Sequence, residues 1–123
     1  MGGYVLDVPK AIDKLDDLTQ SLLRMQSQRT VWQRTLIEQL KQLDRDIQVH
    51  RMLISMERDR VEITRSAGTL YDRLALAAAQ IEKSRADSTT KSAMRLAKEL
   101  ASQVREDFDA FAVVSRDQFE PHI

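Results

Sequence analysis

Two histidines, a tight set of aspartates and a spaced run of arginines are the residues of this 123-residue chain whose types could do chemistry. His50 and His122 have no second histidine or carboxylate set around them at ligand spacing, so neither is read as holding a metal. His50 falls on an apolar stripe, where a polar residue helps to fix helix register or partner choice. Asp13, Asp16 and Asp17 could be read as paired carboxylates for acid–base work, but near the start of a helix they more simply compensate its dipole. Arg51, Arg58 and Arg65 recur every seven residues with Arg60 nearby. On a continuous helix they share one face, which could meet phosphate, lipid headgroups or an acidic partner. The plainer reading is a solvated face paired with Glu57, Asp59 and Glu62. No nucleophile with a base, glycine-rich phosphate loop or zinc spacing is found, and cysteine is absent. The sequence therefore assigns no catalytic, cofactor-binding or metal-binding residue.

The elements that must position these groups are helices. From Leu18 the residues Leu22, Met25, Arg29, Trp32, Leu36, Leu40, Leu43, Ile47, His50 and Ile54 follow one another at steps of three and four. Such spacing keeps one stripe on one side of a helix, and no glycine or proline interrupts it. The interaction seam is read as Leu18, Leu22, Met25, Trp32, Leu36, Leu40, Leu43, Ile47 and Ile54. Val49, Leu53, Met56 and Ile63 lie off that stripe and are read as a second interaction face, since a helix apolar on two sides touches two neighbours.

Residues 1–9 hold two of the three glycines and one of the two prolines and read as a flexible or docking arm. Gly2 raises myristoylation, but Leu6 stands where that motif needs serine or threonine. The remaining residues, 10–120, read as one elongated domain: a helix over about 10–66, a turn near Gly68, and a second helix over about 69–119 with a candidate break at 85–90. Gly68, followed by Thr69 and Asp72, has the chemistry of a helix stop and restart. A rival corner lies near Asp87, within the polar stretch 84–92, where Asp87 or Ser88 would cap the helix that follows. The Gly68 corner is preferred because it folds two comparable arms onto each other. The expected fold is all-α: a long antiparallel, coiled-coil-like hairpin that completes a helical bundle by self- or hetero-association. Ala93, Ala97 and Ala101 should allow close helix approach, with Phe108, Phe111, Val114 and Phe119 bulky toward the end and Pro121 stopping the helix.

Charged residues make up 31% and aromatics 5%, and nineteen basic residues balance nineteen acidic ones. That balance gives no global field to draw the chain onto nucleic acid. No apolar run approaches the roughly 20 residues of a membrane span. The functional expectation is a non-enzymatic protein–protein interaction module, a scaffold, adaptor or complex subunit in the cytoplasm. Its partners would be itself or other helical proteins, with no cofactor and no nucleic acid. Long helices with an arginine stripe are similar to membrane-curving crescent (BAR-type) modules, although this chain is short for one and not basic. That resemblance implies peripheral membrane binding through Arg51, Arg58 and Arg65 as the alternative.

Overall fold

A computed structural model describes the backbone of residues 3–119 and the side-chain surroundings of residues 11–106. Four helices follow one another: α1 (Gly3–Met25), α2 (Val31–Ser55), α3 (Arg60–Glu82) and α4 (Ser88–Phe119). Contacts join α1 to α2, α2 to α3, α3 to α4 and α4 back to α1, while among the described residues the diagonal pairs make no close backbone approach. With short connections this is an up-down-up-down square, a four-helix bundle closed within one chain.

The expected long hairpin is therefore corrected. The helix expected over 10–66 is divided between three helices, with connections at 26–30 and 56–59, and the turn placed at Gly68 does not exist. Gly68 sits inside α3 without a positive φ. The difference lies in how the chain turns. Thr30 caps α2: the Gln33 backbone N–H donates to its Oγ1 at 3.2 Å, and the Gln33 side chain accepts from the Thr30 N–H at 3.2 Å. This reciprocal capping box satisfies donors that a helix start leaves open. At the end of α2, Glu57 takes φ of 52°, Glu57 N–H donates to the Ile54 carbonyl at 3.0 Å, and Arg58 N–H donates to the Leu53 carbonyl at 3.0 Å. That is a Schellman stop built on glutamate rather than glycine. Asp59 then starts α3 by accepting from the Glu62 N–H at 2.9 Å.

The corner read near Asp87 is present, at 83–87. Asp87 accepts from the Thr90 N–H at 3.3 Å and from its hydroxyl at 2.7 Å. The hydroxyl bond, with backbone bonds behind it, holds the Asp87 carboxyl below the usual carboxylate range.

The core is aliphatic, as the low aromatic content requires. Ile12, Leu15 and Leu22 of α1 meet Leu36, Leu40, Leu43 and Ile47 of α2, Ala67, Leu70, Leu74 and Ile81 of α3, and Met94, Ala97, Ala101 and Val104 of α4. Small residues on α3 and α4 let those helices approach closely. Thr19, fully buried, satisfies its hydroxyl by donating to the Leu15 carbonyl at 2.8 Å within its own helix. Helix α1 begins at Gly3 rather than near Pro9, so the arm expected over 1–9 is largely helical backbone; its side chains lie outside the described residues. Phe108, Phe111, Val114, Phe119, Pro121 and His122 also fall outside the described side chains.

Candidate interaction surfaces

The seam read from the sequence is mostly spent inside the bundle. Leu22, Leu36, Leu40, Leu43 and Ile47 are buried, Leu18, Trp32 and Ile54 are half-buried, and Met25 is exposed at the end of α1. A partner chain is not needed to cover that stripe. The second face divides: Ile63 joins the buried set, Leu53 is half-buried, and Val49 and Met56 are exposed.

The exposed members gather at one corner with two residues the sequence reading passed over. Val49 and Met52 lie three residues apart on the outer side of α2, Met56 caps its end four residues on, and Val61 is the second residue of α3, just past the turn. Met52 and Met56 are 52% and 56% exposed, and Val61 is 64% exposed, which is unusual for apolar side chains clustered in so short a stretch. Beside them an open groove of about 280 Å³ runs between α2 and α3, lined by Asp46, Val49, Leu53, Glu62, Arg65, Ser66 and Thr69.

His50 lies beneath this corner, fully buried, with its Nδ1 3.0 Å from the Ser66 Oγ. A serine beside a histidine invites comparison with a nucleophile and its base. Burial, however, lowers the imidazole from 6.5 to about 4, so it is a poor proton acceptor at neutral pH, and substrate has no way to reach it. The pair acts as an interior hydrogen bond between α2 and α3. Among the described residues, no three of histidine, cysteine, aspartate or glutamate are placed to hold a metal ion.

The seven-residue arginine stripe does not survive as one face, because the chain turns within it. Arg51, on α2, reaches α1 and pairs with Asp16 at 2.6 Å and Asp13 at 3.3 Å. Arg58, in the 56–59 turn, pairs with Glu62 at 2.9 Å; that hydrogen bond and charge raise its pKa further. Arg65 lines the α2–α3 groove. Asp13 and Asp16 are thus engaged across the α1–α2 interface rather than assembled as a catalytic pair. Elsewhere on the α2–α3 face, Asp46 pairs with Arg73 and Gln39 with Gln80.

A second groove of about 450 Å³ lies between α3 and α4, lined by Tyr71, Ala78, Ala79, Glu82, Arg95, Lys98, Glu99 and Ser102. Arg95 crosses it to Glu82, with a second contact at 3.0 Å, and this bond draws the Glu82 carboxyl below its ordinary value. The Arg105 guanidinium sits 4.1 Å over the Tyr71 ring, a cation–π stack that holds both side chains at the groove's end. Lys91, Arg95, Lys98 and Arg105 recur along α4 at helical spacing, a signal available in the sequence but overlooked beside the more regular Arg51, Arg58 and Arg65.

Among the described residues no helix is long and apolar enough to cross a membrane. The chain matches no protein-family model, no curated protein and no solved structure.

Proposed function

We propose that this bundle is a non-enzymatic interaction module, a scaffold or complex subunit, that pairs with a second copy of itself through the α2–α3 corner. The observation that carries the reading is the exposed set Val49, Met52, Met56 and Val61 on a chain that has already buried its own core. Association on this reading adds to a finished bundle rather than completing one. Methionine suits such a surface because its unbranched thioether adapts to an opposing side chain.

Charge favours a second copy over a strongly charged partner. Glu57, Asp59 and Glu62 stand with Arg58, Arg60 and Arg65 in and beside the 56–59 turn, so the border of the patch carries both signs in equal number. A patch of that kind can oppose itself about a two-fold axis, each acidic group meeting a basic one. The same pairing weighs against an anionic bilayer, since Arg51 and Arg58 are already held by carboxylates.

Sedimentation across a concentration series tests the reading. The wild-type chain should pass from monomer to dimer, and Met52→Glu with Met56→Glu should weaken dimerisation by about tenfold or more while helicity is kept, since both side chains are mostly exposed. A wild-type chain that stays monomeric throughout, or a double variant that dimerises equally well, overturns it.

A further inference from the structure

Cysteine is absent, so the sulfur of this chain is all thioether, on Met1, Met25, Met52, Met56 and Met94. Met1 lies outside the described residues. The other four divide sharply by exposure: Met94 is 1% exposed in the core, whereas Met25, Met52 and Met56 are 59%, 52% and 56% exposed. Met52 and Met56 stand one helical turn apart, the Met56 N–H donating to the Met52 carbonyl at 2.9 Å, and both belong to the α2–α3 corner. Met25 precedes α2, so the 25 residues of that helix, a rise of about 37 Å, separate it from Met56.

An exposed thioether is open to attack on peroxide. Its lone pair attacks one peroxide oxygen, the O–O bond breaks as the S–O bond forms, and the departing hydroxide takes a proton and leaves as water. Sulfur is oxidised by two electrons and the peroxide is reduced by two, so no further reactant is needed. The sulfoxide that results is polar and accepts hydrogen bonds where the thioether was apolar. On a surface left in water this costs little, since water meets the new acceptor. In a dry contact the acceptor gives up that water without gaining a donor, and its burial is penalised.

We infer that Met52 and Met56 are modification sites at which hydrogen peroxide controls association, their oxidation to sulfoxides breaking the pairing of two copies through the α2–α3 corner. The inference rests on the dimer reading above and adds its regulation. A two-fold contact opposes the corner with itself, so each modified methionine enters the interface twice. Val49 and Val61, the other exposed members of the corner, have aliphatic side chains with no donor for the new oxygen. Peroxide and a second copy compete for the same side chains, because pairing covers the sulfurs that the single chain exposes. Oxidation of Met25 leaves pairing untouched, and Met94 is shielded by the bundle itself. The change is reversible, since methionine sulfoxide reductases return the thioether.

Limited hydrogen peroxide treatment of the full chain, read by peptide mass mapping and by sedimentation, tests the inference. Met25, Met52 and Met56 should each gain one oxygen while Met94 does not, with helicity kept. The dimer should weaken by about tenfold or more and recover when sulfoxide reductases are added. Raising the protein concentration should slow oxidation at Met52 and Met56 but not at Met25. Met52→Leu with Met56→Leu, a swap of similar volume, should dimerise equally before and after peroxide. An untreated wild-type chain that stays monomeric overturns the dimer reading and the regulation with it. A wild-type dimer that survives oxidation of both methionines, or a leucine variant that loses its dimer under the same treatment, overturns the regulation alone.

Discussion

His50 of α2 and Ser66 of α3 meet in the bundle interior, Nδ1 to Oγ at 3.0 Å, where the imidazole has no exposed surface. Its pKa of about 4 in the fold against 6.5 in the open chain makes the pair a pH-dependent element of stability. Above the unfolded value both states are neutral and the fold has its full stability. As pH falls below 6.5 the unfolded chain takes up the proton first, and stability declines until the folded state protonates as well, near 4. The loss attributable to His50 is on the order of 3 kcal/mol across that window. Urea melts at several pH values should show this decline, and His50→Gln should flatten it; an unchanged slope in that variant would count against the assignment.

Gly68 offers a substitution whose sign depends on the architecture. A Cβ added there meets nothing within 4 Å, and the residue lies inside α3 without a positive φ. Gly68→Ala should therefore stabilise the bundle by about 1 kcal/mol, through helix propensity and a less flexible unfolded chain. In a left-handed turn the same change would destabilise. A thermal melt distinguishes the two.

Glu57 should respond in the opposite chemical direction. It holds φ of 52° at the end of α2, a conformation in which a side chain crowds the backbone and glycine does not. Glu57→Gly should raise stability by up to about 1 kcal/mol without altering helix content. Measured destabilisation would mean that the α2 stop is not formed as described.

The helical class and much of the core were legible because periodicity reports which face of a helix is buried. Leu22, Leu36, Leu40, Leu43 and Ile47 were picked out by spacing alone and are buried. Spacing does not report where a helix stops. Leu22 and Leu36 are fourteen residues apart, two heptads, whether the chain between them is helical or turns at 26–30. The true stops avoid glycine and proline: Thr30 with Gln33 at one, Glu57 with Asp59 at the next. The one internal glycine has no stop to make. For the candidate surfaces the loss was greater, since Arg51, Arg58 and Arg65 share a face only if the helix runs through 56–59. Val49 and Met56 belong to the second face that the spacing gives; Met52 sits on the same side, three residues from Val49, and Val61 lies beyond the 56–59 turn, and neither is among that face's four residues.

Core and surface leucines on the same helix give an internal comparison. Leu70 is fully buried and Leu76 is 61% exposed. Leu70→Ala should cost about 2–5 kcal/mol, through lost burial and the void left behind, while Leu76→Ala should stay within about 0.5 kcal/mol. Similar costs at both positions would contradict the assignment of α3's inward face. Trp32, packed half-buried against the core, should fall between them on truncation.

The central claim, that one chain closes its own four-helix square, is tested most directly by the distance between spin labels at Gln28 and Arg85. Both positions are exposed, in connections that the up-down-up-down course brings to the same end of the bundle. Neighbouring helices pack at 8–10 Å, so the labels should lie about 10–20 Å apart in dilute, monomeric protein. A two-helix hairpin turning at Gly68 would instead set Arg85 opposite Arg51, leaving about 35 Å of helix between it and Gln28. A distribution centred near that longer distance would contradict the bundle; one at the shorter distance is what the fold predicts.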